Sequence, residues 1–212
     1  QHRAEDEELE DALGNVAGTL IEREEFGEAS SVLRQLLEYP IAKSDEPNKR
    51  QRQAHRHHRV WYARGILSKQ IPLLIQMQPQ QAFDLLSDVL CSVQRWHGAD
   101  GLDYLSFSRR RIAAAPARKG WDDKRFETEL VDQFIATAGA LAVGKLNAVM
   151  QSLKSKPGDF FRRVALHLLR GHPEPQMTQT IKDALLDEQA FSEGHLEPEY
   201  GDLLAAQIGV LS

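Results

Sequence analysis

The fold is decided between residues 124 and 170, where the sequence runs KRFETELVDQFIATAGALAVGKLNAVMQSLKSKPGDFFRRVALHLLR. Apolar residues recur there every three or four positions, which predicts amphipathic helices. A long helix is predicted from Lys124 to about Leu153, with its apolar positions at Phe126, Leu130, Phe134, Ile135, Ala138, Leu141, Leu146 and Val149. Gly139 and Gly144 lower its helix propensity and allow close packing or a bend. A second helix follows, with Pro157 near its start.

The first 96 residues show the same periodicity and predict two helical hairpins. In the first hairpin, the apolar lines are Leu9, Leu13, Val16, Ala17 and Leu20, then Phe26, Ala29, Val32, Leu33, Leu36 and Leu37. Gly27 lies near the predicted turn, and Pro40 ends the second helix. In the second hairpin, the lines are Val60, Trp61, Ile66, Leu67, Leu73 and Leu74, then Phe83, Leu86, Leu90 and Val93. Pro72 is expected to kink or split the helix that contains it.

The remaining segments complete an all-α prediction. Residues 97–123 lack periodicity and predict a long loop, a type of segment that is often functional. Further helices are predicted in MTQTIKDALLD, with Thr178 as its cap, and in PEYGDLLAAQIGVL, which a proline opens. We therefore expect a single domain over 1–212, with two hairpins in 1–96 and a C-terminal helical bundle in 124–212. The hairpins are predicted to stack irregularly in a repeat-like array of the tetratricopeptide or HEAT kind.

The composition bounds the class of protein. Hydrophobic residues make up 42% and charged residues 27% of the 212 residues, as in soluble globular proteins. No run of about 18 apolar residues and no signal peptide is visible, so we expect no membrane association. Cys91 is the single cysteine, which excludes an intramolecular disulfide and a cysteine-based zinc site. A cytoplasmic location is the expectation.

Charge is segregated along the chain. Residues 1–46 hold 4 Lys/Arg and 13 Asp/Glu, residues 47–126 hold 15 and 6, and residues 127–212 hold 7 and 12. The three net charges are −9, +9 and −5. Such asymmetry bears on partners and on electrostatic steering rather than on the fold.

The basic middle of the chain supplies the candidate binding residues. They are Arg50, Arg52, Arg56, Arg59 and Trp61 in KRQRQAHRHHRVWYAR, and Arg109, Arg110 and Arg111 in SRRRIAAAPARK. Cations and an interleaved aromatic suit nucleic acid. They equally suit an acidic protein surface, including the acidic start of this same chain, or a solvated helix face. His55 and His58 lie at i and i+3, but no neighbouring Cys, Asp or Glu completes a metal site, so we predict no metal and no cofactor.

Arg162 and His167 are the candidate catalytic residues, because an Arg-x4-His spacing also occurs in all-helical RNA-cleaving domains. There, His serves as general acid or base and Arg stabilises developing negative charge. Residues five apart on a helix lie about 140° apart around its axis, so these two do not share a face. The apolar stripe is Phe161, Val164, Ala165, Leu168 and Leu169, and Arg162, Arg163 and His167 are predicted to lie outside it or at its margins. The structural alternative is a core helix whose Arg and His contact neighbouring helices.

Three stretches, DYLSFSRRRIAAA, DFFRRVALHLLR and LLDEQAFSEGHLEPEYGDLLAAQIGVL, occur in that order. Together they resemble the C-terminal helical region of large bacterial signal-transducing NTPases of the STAND type, many of them antiviral sensors. The resemblance covers roughly residues 100–212. It implies a helical-repeat sensor that recognises a phage protein, and a structural role for the helix that holds Arg162 and His167. Where that family's loop carries a Trp-Arg pair, this chain has Ser108 and Arg109.

Together these patterns predict a non-catalytic protein-interaction or sensor module with a protein partner, belonging to a larger bacterial signalling or defence NTPase. No phosphate loop is present in the sequence, so the chain itself is not expected to bind ATP. One alternative is a ribonuclease that uses Arg162 and His167. Another is a nucleic-acid-binding module that uses segments 49–64 and 109–119. The oligomeric state stays open.

Overall fold

The computed structural model describes residues 2–37, 63, 65–97, 112, 126–172, 175–188 and 196–211. Within these ranges every regular element is a helix and no strand occurs, which confirms the all-α prediction. The helices are α1 His2–Glu22, α2 Phe26–Leu37, α3 65–77, α4 Pro79–His97, α5 Phe126–Ser155, α6 Asp159–Arg170, α7 Thr178–Leu185 and α8 Glu197–Gln207. Two 3₁₀ turns, Pro175–Met177 and Ile208–Leu211, flank α7 and α8.

The helices follow one another through a chain of neighbour contacts. α1 packs on α2, α2 on α4, α4 on α5, α5 on α6, and α6 on α8, which also contacts α7. A continuous apolar core runs through these contacts. Neighbour packing of this kind is what stacked hairpins require, but it does not define a repeating unit, so the repeat-like array stays a prediction.

The α1–α2 hairpin turns at Glu24, and Gly27 lies near this turn as the second residue of α2. Glu24 has φ 62°, the left-handed conformation in which glycine is usual. The amides of Glu24 and Glu25 donate to the carbonyl oxygens of Ile21 and Leu20, at 3.0 and 2.9 Å. This is the paired hydrogen bonding of a Schellman motif, so the C-terminus of α1 is capped without a glycine.

The buried face of α1 differs from the predicted one. Ala17 and Ile21 are buried, whereas the predicted core residues Leu9 and Val16 are 58% and 47% exposed. Leu13 is half-buried. Helix α2 covers only part of the surface of α1. The apolar line of Leu9, Leu13, Val16 and Leu20 therefore lies at the edge of the α1–α2 contact. The prediction for Leu9 and Val16 was therefore wrong.

Four phenylalanines join the central helices. Phe83 of α4 stacks on Phe134 of α5, with ring centroids 5.2 Å apart. Phe134 also lies 5.9 Å from Phe160 and 5.6 Å from Phe161, both on α6. All four rings are fully buried. Tilted and edge-to-face pairs at these separations stabilise beyond simple area burial, so this cluster fixes α6 against α4 and α5.

The longest helix, α5, bends at one point. Lys145 has φ −139° and ψ 33°, which is not helical, and Gly144 precedes it. A Cβ added at Gly139 or Gly144 would meet no described heavy atom within 4 Å beyond its own helix backbone. Of the two predicted consequences of these glycines, the structure therefore shows the bend, beside Gly144, and not close packing.

Helix α5 is also long and apolar enough to cross a membrane by length and composition, and it is the one such helix among the residues described. Its buried residues pack against α4 and α6. The core helix of a soluble protein passes the same test, and 44% of the apolar window of α5 is buried.

Three further local predictions, at Pro72, Thr178 and Leu73, differ from the structure at least in part. Pro72 does not split its helix, because α3 continues without interruption over 65–77. Thr178 is not a cap: it is the first residue of α7, Met177 occupies the cap position, and no side chain caps the helix. The 3₁₀ turn Pro175–Met177 leads directly into α7 instead. Leu73 of α3 was predicted to be in the core but is 41% exposed.

Candidate functional site

The most distinctive polar feature is a buried ion pair between α6 and α8. Arg163 Nε donates to Glu199 Oε2 at 2.7 Å, and Arg163 Nη2 donates to Glu199 Oε1 at 3.2 Å. The two side chains are 2% and 1% exposed. Two parallel N–H···O bonds make this the bidentate geometry that a guanidinium forms with a carboxylate.

The sequence predicts Arg163 outside the apolar stripe of α6 or at its margins, and the structure shows its side chain buried and in contact with a neighbouring helix. Most of the circumference of α6 is buried, since α5 packs on one side and α8 on another. A helix enclosed in this way buries its polar residues as well, and a buried guanidinium requires a carboxylate partner. Glu199 is 36 positions away, beyond the reach of any periodicity argument.

Glu199 also binds Ile112, a residue of the segment 97–123 that was predicted to be a loop. Its Oε1 accepts the backbone N–H of Ile112 at 2.7 Å, across 87 positions of sequence. Ile112 itself is buried, with 2% exposure. One carboxylate therefore connects α6, α8 and Ile112, the residue that directly follows the Arg109–Arg111 triplet in the sequence.

Further hydrogen bonds fasten α8 to its neighbours. Tyr200 Oη donates to the carbonyl oxygen of Leu185, at the end of α7, over 2.6 Å in the buried interior. Gln207 Nε2 donates to the carbonyl oxygen of Arg170 at 3.2 Å. Arg170 Nη1 lies 3.5 Å from Asp202 Oδ2 on the more exposed side. Helix α8 is thus fixed at both ends as well as at Glu199.

Arg162 and His167 are both on α6, and the contacts of Arg162 are with carboxylates. Arg162 Nη1 contacts Asp159 Oδ1 and its Nη2 contacts Asp187 Oδ2, each at 3.4 Å. The Arg162 side chain is 31% exposed, and His167 is half-buried. A phosphate approaching Arg162 would compete with two carboxylates, one from its own helix and one from the segment after α7.

The other predicted binding residues lie outside the described residues. They are Arg50, Arg52, Arg56, Arg59, Trp61, Arg109, Arg110 and Arg111. The same is true of His55 and His58 and of most of the predicted loop 97–123, in which Ile112 and the end of α4 are described.

Cys91 lies half-buried on α4, next to a set of surface charges. Burial raises the pKa of its thiol, the Asp88 carboxylate raises this pKa further, and Lys156 and Arg95 oppose the rise. Asp88 itself pairs with Arg34 of α2 at 2.6 Å and with Lys156 at 3.7 Å. A raised pKa is the opposite of what an activated thiolate requires, which fits a structural thiol.

Chemically, this arrangement holds a backbone segment in place rather than activating a reacting group. Among the residues that the structure describes, no group of three or more His, Cys, Asp or Glu side chains is placed to hold a metal ion. The Glu199 carboxylate already accepts bonds from Arg163 and Ile112, so its charge is compensated. Comparison of the chain with protein-family models, with curated proteins and with solved structures finds no match.

Proposed function

We propose that this chain is a non-catalytic helical module that recognises a protein partner, within a larger bacterial signalling or defence NTPase. One observation carries the proposal: the buried Arg163–Glu199 pair binds the backbone of Ile112, next in sequence to Arg109–Arg111. Binding loops are commonly presented by rigid scaffolds, and a recognition surface needs supporting residues that are themselves fixed.

The hydrogen bond from the backbone of Ile112 to Glu199 has a charged acceptor and is buried, and both features strengthen it. A hydrogen bond to an ionised acceptor is roughly twice as strong as one between neutral groups. It is also shielded from water, because both side chains of the pair and Ile112 are buried. A scaffold that fixes one point of a basic segment reduces the conformational entropy lost when that segment binds a partner.

The charges on α6 favour a scaffold over a catalytic centre. Arg162 is paired with Asp159 and Asp187, and Arg163 with Glu199. A ribonuclease would need a cation directed at the developing negative charge of the phosphate, with a His within reach of the same atoms. Pairing with internal carboxylates supports the structural hypothesis for this helix.

The NTPase context rests on the resemblance of residues 100–212 to sensor regions of that class. Of the three stretches that carry it, the first contains Ile112, the second forms α6, and the third contains α8, whose Glu199 binds the backbone of Ile112. Sequencing the gene on both sides of this chain checks the context directly. A complete gene without a phosphate-loop NTPase would contradict it.

Recognition itself is tested by cross-linking the purified chain to proteins from phage-infected bacterial cells. The comparison is with a variant carrying Arg109→Ala, Arg110→Ala and Arg111→Ala. A matched control removes three exposed cations elsewhere, through Arg23→Ala, Lys145→Ala and Lys154→Ala. We expect one protein to be enriched on wild type and control but not on the triplet variant. Equal enrichment on all three would contradict the proposal.

Incubation with RNA separates the two alternatives. Cleavage that His167→Ala abolishes, with the fold intact, would support the ribonuclease instead. Retention of RNA that falls steeply with salt would support a nucleic-acid-binding module, since released counterions make such binding salt-dependent. The protein-recognition proposal predicts neither result.

A further inference from the structure

Helix α1 carries an apolar stripe that the fold leaves partly uncovered. Leu9, Leu13, Val16 and Leu20 recur at spacings of four, three and four, so they fall on one side of the helix. Leu9 and Val16 are 58% and 47% exposed. Leu13 and Leu20 are half-buried. The stripe therefore runs along the edge of the α1–α2 contact with every second member open to solvent.

The other exposed large apolar residues in the described part of the chain form no line of this length. Val143 near the bend of α5, Leu186 after α7 and Ile208 after α8 are exposed singly, and Leu73 and Met77 form one pair four residues apart on α3. Single exposed apolar residues are ordinary on protein surfaces. A helix that binds another helix typically carries such a line of apolar anchors, at positions i, i+3, i+4 and i+7.

The charge of α1 indicates which kind of helix fits. The helix contains seven Asp/Glu and one Arg. At about 100° per residue, the exposed Glu8 and the position of Glu10 lie on either side of the stripe, whereas the exposed Asp11 and Glu22 lie on the opposite face of the helix. In the sequence, Glu5, Asp6 and Glu7 occupy the turn before Leu9. A complementary partner carries Lys or Arg on both sides of its own apolar line, because charged rims that match steer encounter and fix the register. The same carboxylates disfavour anionic lipid surfaces.

We infer that the α1 stripe is a docking surface for a basic amphipathic helix of a partner protein. The four anchors span about 16 Å along α1, so the partner helix needs roughly eleven residues or more to cover them. The inference rests on the proposed function in that it assumes a protein-recognition module. It adds a surface opposite in charge to the basic segments, on a different part of the chain.

The test uses the full chain and a fluorescein-labelled peptide with Leu at heptad a and d positions and Lys at the others. Binding is followed by fluorescence anisotropy. The stripe variant combines Leu9→Ser with Val16→Ser. The matched control combines Val143→Ser with Leu186→Ser, which are also exposed, at 81% and 68%. Exposed substitutions change stability little, so circular dichroism and urea midpoints should match wild type in both variants.

We expect the peptide to bind at least tenfold more weakly to the stripe variant and within twofold of wild type to the control. A peptide of the same composition with its Leu residues dispersed around the helix should bind wild type at least tenfold more weakly. Equal weakening by stripe and control variants, or unchanged binding to the stripe variant, would overturn the inference. So would stripe-dependent binding to phosphatidylcholine vesicles without peptide binding.

Two further experiments identify what occupies the stripe and distinguish a failure of this inference from a failure of the proposed function. If sedimentation shows the chain dimerising through the stripe, the occupant is a second copy and the inference is overturned. The Arg109–Arg111 triple alanine variant should retain the peptide fully. Peptide binding at the stripe with no protein cross-linked through those arginines would support the stripe and refute recognition by the basic loop. Cross-linking through the arginines without peptide binding would refute the stripe alone.

Discussion

Replacing Glu199 by Gln should destabilise the fold severely, because it leaves a buried guanidinium without its carboxylate. The pair is bidentate, at 2.7 and 3.2 Å, and its side chains are 2% and 1% exposed. Breaking such a pair by removing one partner costs about 3–5 kcal/mol. Unit charges about 4 Å apart at an effective dielectric constant of about 20 interact by about 4 kcal/mol, which agrees. Domains are stable by only about 5–15 kcal/mol, so a large share would be lost.

A double-mutant cycle shows whether the loss comes from the charge. Arg163→Met alone leaves a buried carboxylate and should cost a similar 3–5 kcal/mol. Arg163→Met combined with Glu199→Gln removes both charges and keeps an amide oxygen that can accept the N–H of Ile112. The double variant should lie within about 2 kcal/mol of wild type, since uncharged replacements of buried pairs are often nearly neutral.

Urea unfolding followed by circular dichroism measures the four free energies of unfolding, by linear extrapolation. The expected coupling energy between the two sites is at least about 4 kcal/mol, which is the sum of the two single losses less the roughly 2 kcal/mol allowed for the double variant, and its sign makes the double variant more stable than that sum. A loss below about 1 kcal/mol for Glu199→Gln would refute the reasoning. So would a double variant as unstable as the two single losses added together.

Other perturbations test local features. Glu24→Gly should raise the free energy of unfolding by about 0.5–1 kcal/mol, because glycine adopts the left-handed conformation of this position without strain. Gly158→Ala should lower the free energy of unfolding by about 1–3 kcal/mol, because Gly158 has φ 92° and ψ 154°. Urea midpoints that shift in opposite directions would agree with both predictions. Because burial raises the pKa of the Cys91 thiol, less thiolate is present near neutral pH, and iodoacetamide should alkylate the native chain more slowly than the urea-unfolded chain. Equal alkylation rates would contradict this. Tyr200→Phe should cost about 1 kcal/mol by removing the hydrogen bond to Leu185, and an unchanged urea midpoint would count against it.

Periodicity was sufficient where a helix has one buried side. Phe83, Leu86, Leu90 and Val93 of α4 are all fully buried, as their spacing predicts. Helix α5 begins and ends within two residues of the predicted bounds. A regular stripe in the sequence indicates which residues can enter a core, and in these two helices neighbours cover all of the predicted stripe except the half-buried Ile135.

Periodicity failed where the environment depends on distant partners. The same rule placed Leu9 and Val16 in the core, but the α1–α2 contact stops short of them. It placed Arg163 at a margin, because nothing in the local sequence signals that Glu199 meets it from α8. Of the candidate site, the importance of the α6 helix could be predicted, while the carboxylate that fixes Ile112 could not.

The bond between Ile112 and Glu199 also bears on the order of folding. It closes a separation of 87 residues, whereas the helical hydrogen bonds are four residues apart. Bringing together the ends of a segment of that length costs about 4 kcal/mol of conformational entropy, because loop-closure entropy grows with the logarithm of the loop length. We therefore expect this contact to form after α6 and α8 have met, and not in the folding nucleus. The anchor therefore prolongs the lifetime of the folded chain while contributing little to the speed at which it forms.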